Sequence, residues 1–78
     1  MQLREAFFRE LPGEQQLFDP GLRTDGQPVY SAHALLNTPT SSPEWVITFY
    51  KYSGEIVSGI FCLKGAWDDR VTLFLDYV

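Results

Sequence analysis

The sequence predicts an α+β domain, a short N-terminal helix packed on a mainly antiparallel sheet of about four strands. Three observations carry this reading. Residues 44–64 hold two runs dense in β-branched and aromatic side chains, separated by Ser53-Gly54. Residues 1–11 repeat apolar side chains at helical spacing and end at Pro12-Gly13. Residues 70–77 alternate Val71, Leu73, Leu75 and Tyr77 with Arg70, Thr72, Phe74 and Asp76. A small open β-barrel with the helix as a plug is the runner-up. The chain of 78 residues has room for one domain, residues 1–78.

The elements follow in order. Leu3, Phe7 and Leu11 recur at i, i+4 and i+8 with Ala6 beside them, which is one face of a helix. Glu5 and Arg9 add an i, i+4 ion pair, and Pro12-Gly13 stops the helix. Residues 12–28 carry three turn signals, Pro12-Gly13, Asp19-Pro20-Gly21 and Asp25-Gly26, so they read as irregular. Leu17, Phe18 and Leu22 are the expected anchors of this segment to the core. Asp25-Gly26 suits a hairpin turn after a short strand near 22–24. Tyr30, Ala32, Ala34 and Leu36 alternate with Ser31 and His33, a strand pattern, although Ala and Leu also suit a helical turn. Thr38 to Pro43 is a polar connector bounded by prolines.

The run Trp45 to Tyr52 and the run Glu55 to Leu63 then form a hairpin. A type I turn with Gly54 as a left-handed bulge residue would set Lys51 opposite Glu55, and Phe49 against Val57. A two-residue turn setting Tyr52 opposite Glu55 is the alternative. One hairpin face holds Trp45, Ile47, Phe49, Val57 and Phe61. The other holds Val46, Tyr50, Ile56 and Ile60. Gly65 to Asp69 reads as a turn, and residues 70–77 as a half-buried last strand.

Composition narrows the chemistry. With 45% hydrophobic and 15% aromatic residues the chain is neither a disordered tail nor, lacking a long apolar run, a membrane span. One cysteine excludes a disulfide scaffold and, with no apolar leader at residues 1–5, points to the cytoplasm. Nucleophilic catalysis has only His33 and Cys62 to draw on, and Cys62 between Phe61 and Leu63 reads as an inert core thiol. A structural zinc site needs more Cys and His ligands than the chain holds. Asp68-Asp69 reads as turn chemistry rather than a metal site. The six glycines are dispersed, so no phosphate loop forms. The expectation is a chain with no catalytic residues, no cofactor and no metal.

The remaining signal is surplus apolar surface on the hairpin. It predicts a small non-catalytic protein-binding module that acts stoichiometrically, of inhibitor, immunity or phage counter-defence type. The contact residues expected are Tyr50, Tyr52, Trp67, Arg70 and Phe74, since Tyr, Trp and Arg dominate interface energetics. The last strand, ending without a blocking residue, predicts a homodimer through a C-terminal sheet edge. The alternative is a nucleic-acid-binding domain that stacks bases on Tyr50, Tyr52 and Phe74 near Lys51, Lys64 and Arg70. A net charge of -4 weighs against it, because phosphate neutralisation supplies most nucleic-acid affinity.

Overall fold

The computed structural model describes residues 13–78. The helix expected over residues 1–11 lies outside the described residues. Four antiparallel strands form one open sheet in the order β1-β2-β3-β4: β1 Glu14–Asp19, β2 Tyr30–Leu35, β3 Trp45–Ser53 and β4 Ile56–Gly65. The sheet does not close, so the barrel alternative does not apply. A 3-10 turn at Trp67–Asp69, a four-residue helix α1 at Arg70–Leu73 and a second 3-10 turn at Leu75–Tyr77 complete the chain.

Strand alternation gives the sheet two unlike faces. Leu17, Tyr30, Ala32, Ala34, Trp45, Ile47, Phe49, Phe61 and Leu63 turn to one side and, with Trp67, Leu73, Phe74 and Tyr77 from the C-terminal segment, form the core. Trp45, Ile47 and Phe74 are fully buried. The rings of Phe49, Tyr30 and Tyr77 lie 5.4, 6.1 and 5.8 Å from that of Phe74, within the range of favourable aromatic contacts. The Trp45 indole N–H is satisfied by donation to the Pro39 carbonyl at 2.9 Å.

Several expectations are corrected. Residues 70–77 form no strand. Their buried and half-buried positions, with Trp67, follow Trp67, Arg70, Leu73–Phe74 and Tyr77, which is helical spacing. The apparent alternation of period two arises because the exposed positions Val71 and Leu75 are apolar too. The fourth strand is instead β1, in a stretch read as irregular. Residues 22–24 form no strand, Leu22 is fully exposed, and Phe18 is 66% exposed rather than a core anchor.

The hairpin forms as expected, but in neither register considered. Ser53 faces Ile56, so Gly54 and Glu55 are the two loop residues. Gly54 has φ +65°, the positive angle that a type II′ turn needs at its first central position. A β-bulge between Lys51 and Tyr52 then shifts the pairing, and Phe49 faces Phe61 instead of Val57. The left-handed conformation is where sequence reading placed it, at Gly54, but in a shorter turn.

Candidate protein-binding surface

The expected contact residues do not come together. Phe74 is 0% exposed and Trp67 8%, so both serve the core and neither is available at the surface. Arg70 is half-buried over them. Its Nε donates to Asp19 Oδ2 at 2.8 Å, a terminal nitrogen donates to the Trp67 carbonyl at 3.0 Å, and its guanidinium sits 4.4 Å from the Trp67 ring centre. Arg70 therefore ties the C-terminal segment to the end of β1. Asp19 also accepts from the Gly21 N–H at 2.8 Å. That backbone bond lowers the Asp19 pKa below its ordinary value; burial opposes the shift, and Arg70 reinforces it.

Tyr52 is half-buried and occupied too. Its hydroxyl donates to the Pro28 carbonyl at 2.6 Å, and the Arg23 guanidinium stacks 3.8 Å from its ring centre. Arg23 also binds Asp25 through Nε at 3.2 Å and through a terminal nitrogen at 2.5 Å, and it donates to the Gly54 carbonyl at 3.0 Å. These contacts clamp the loop after β1 onto the hairpin tip. The Asp25 hydrogen bond raises the Arg23 pKa, and Arg23 lowers that of Asp25. The shallow depression beside Leu22, Arg23, Asp25 and Glu55 is thus rimmed by charges that largely satisfy one another.

The expected residues Tyr50 and Tyr52 alternate with the core positions of β3 and so lie on the second face of the sheet, Tyr52 at its edge under Arg23. There the pairs Phe18–Ser31, Ser31–Thr48 and Thr48–Cys62 make one row across all four strands. Gln16–His33, His33–Val46 and Val46–Lys64 make the next, and Tyr50–Ile60 flanks the first. Gln16, Phe18, Ser31, His33, Thr48 and Tyr50 line a concavity of about 310 Å³. A hydrogen bond of 3.0 Å between the Ser31 and Tyr50 hydroxyls fixes its floor. Phe18, Leu35 at 69% and Ile60 at 63% exposure stand around it. The second-face residues Val46, Tyr50 and Ile60 were legible from strand alternation. Phe18 was missed because its strand was missed.

This face offers apolar contact with scattered polar partners, and little else. Cys62 is exposed on it, not buried in the core as its neighbours suggested. His33 shares the face, but β3 lies between the two. Lys64 pairs with Glu44 at 3.5 Å. Among the described residues no group of three or more His, Cys, Asp or Glu is placed to hold a metal ion, and no helix is long and apolar enough to cross a membrane. No protein-family model, curated protein or solved structure matches the chain.

Proposed function

We propose that this chain is a non-catalytic module that binds another protein stoichiometrically, and that the open face of the sheet is its contact surface. One observation carries the reading. The core face is covered by the C-terminal segment, whereas the opposite face exposes Phe18, Leu35 and Ile60 around the half-buried Tyr50. Exposed apolar side chains grouped on one face, with polar groups between them, suit a protein contact better than a solvated surface. Glu14, at one corner, Glu44 and the hairpin's Glu55 are acidic groups near this face, in a chain of net charge -4. The partner that fits is a protein with an apolar patch bordered by Lys and Arg. Such a module works by occupying that patch, as an inhibitor, immunity or phage counter-defence protein does.

A photo-crosslinking side chain at position 18 tests this against the same group at Val71, which is exposed on the covering segment. In the native cells, position 18 should capture one protein at equimolar ratio, and Ile60→Lys should abolish the capture. Equal capture from both positions would overturn the proposal. So would nucleic acid as the crosslinked species.

A further inference from the structure

The sheet ends on β4, whose outer edge has no strand partner among the described residues. At ten residues it is the longest strand, and it has no proline. Such an edge presents free backbone donors and acceptors, blunted only by Lys64 and by the bulge at Ser58. Ile56 and Ile60 are exposed along it, at 74% and 63%.

The charge pattern identifies what pairs with this edge. Glu55 lies in the turn at one end of β4, and Lys64 lies near the other, in a long and solvent-exposed ion pair with Glu44 at 3.5 Å that a closer carboxylate can replace. An antiparallel copy of the same strand therefore brings each Lys64 to the turn carrying the partner's Glu55, and does so twice by symmetry. The opposite edge of the sheet has the reverse character. β1 begins at Glu14 and ends at Asp19, so antiparallel self-pairing there would set acid beside acid at both ends. Pairing β1 of one molecule with β4 of the next would not close and would propagate, whereas β4 with β4 closes as a two-fold dimer.

We infer that the chain forms a two-fold homodimer by antiparallel pairing of β4 with β4, joining two sheets into one of eight strands. Directly opposed residues in an antiparallel pair share a face, so the two-fold axis must pass through a residue position. The axis at Ile60 pairs nearly the whole strand. It sets Ile60 against the partner's Ile60 and, because Ser58 is the extra residue of the bulge, Val57 against the partner's Cys62 and Ile56 against the partner's Leu63. The two Ile60 side chains then cover one another on the open face. A strand edge is a small interface, so the dimer is weak and concentration-dependent.

Disulfide trapping tests both the dimer and its register. In a Cys62→Ser background, Ile60→Cys should give a covalent dimer under mild oxidation, because directly opposed positions fall within disulfide reach. Val57→Cys in the same background should crosslink severalfold more slowly, and should recover when Cys62 is restored. Val71→Cys, remote from β4, sets the background rate. Light scattering on the wild-type chain should show mass rising toward twice 8.9 kDa with concentration. Lys64→Glu should lower the dimer fraction severalfold, and Glu55→Lys added to it should restore it. Circular dichroism confirms that each variant is folded. A wild-type mass that stays at the protomer value, or Ile60→Cys crosslinking no faster than Val71→Cys, would overturn the inference. Neither result bears on partner capture from position 18.

Discussion

Arg70 shows how much a single side chain can hold together. It holds three groups on two residues: the carboxylate of Asp19 at the end of β1, and the carbonyl and ring of Trp67. Arg70→Ala removes a charge-assisted hydrogen bond and a stacked cation, and should cost about 1–2 kcal/mol in urea unfolding. Arg70→Lys should recover only part, because an ammonium cannot bond and stack in the same plane. A pH signature follows from Asp19. Its folded pKa lies below its unfolded one, held there chiefly by the Gly21 N–H and also by Arg70. Its contribution to stability is therefore complete above the ordinary carboxylate range of about 3.9, and is lost as pH falls through the folded value. Thermal unfolding followed from about pH 6 to about pH 2 should show a shallower acid loss in Asp19→Asn than in wild type. Equal slopes would mean that Asp19 does not report on folding. Phe74 belongs at this scale as well. Fully buried among Tyr30, Phe49 and Tyr77, it should cost about 3–5 kcal/mol on change to alanine, a large share of a small domain's stability.

Elements were legible where local pattern and tertiary role agree, and misread where they do not. The strands β3 and β4 combine alternation with β-branched and aromatic side chains, so their pattern states their structure, whereas β2, Tyr-Ser-Ala-His-Ala-Leu, is legible from alternation alone. β1 has the sequence Glu-Gln-Gln-Leu-Phe-Asp, weak in strand formers. It is held by pairing with β2 and by Gln15, whose side-chain amide donates to the Leu35 and Thr38 carbonyls at 3.1 Å each. Those are contacts at a distance of about twenty residues, invisible to a local reading. The C-terminal segment misleads in the opposite direction. Its alternation is real, but its docking follows Trp67, Leu73, Phe74 and Tyr77 over the sheet. Gly65 marks the closest approach. A Cβ there would stand 2.9 Å from Leu73 Cδ2. Gly65→Val should push α1 off the end of β4 and lower the melting temperature, whereas Gly59→Ala, met by the edge of the Phe61 ring and more distantly by Lys51 Cβ, should be milder. The hairpin turn makes a sharper case. Gly54→Ala places a Cβ at φ +65° with open space around it, so its cost is conformational alone, about 1 kcal/mol. The candidate surface was legible in half: alternation exposes Val46, Tyr50 and Ile60, but a residue such as Phe18 cannot be assigned a face until its strand is known.

At the scale of the molecule, the two faces of the sheet divide the work. One carries the aromatic core beneath the C-terminal segment, and the other carries apolar groups whose removal should hardly affect folding. Phe18→Ser and Ile60→Lys should change stability by no more than about 0.5 kcal/mol, since both side chains are mostly exposed. The same changes should weaken partner binding by about 2 kcal/mol or more where the side chain is a central anchor. A β4–β4 dimer would extend this face across the two-fold axis, with the Ile60 pair at its middle, and would offer a partner two copies of the same surface. Charge then sets the kinetics. With a net charge of -4, and Lys64 already paired with Glu44, the chain's field draws a basic surface toward it. The association rate with the captured partner should fall as ionic strength rises, while the dissociation rate, governed by the apolar contacts, changes little. Glu14→Gln should flatten that salt dependence, since this exposed residue lies at the edge of the open face and does not support the core. A dissociation rate that climbs steeply with salt, with association unchanged, would show that the contact is held by ion pairs and not by the exposed Phe18 and Ile60 side chains.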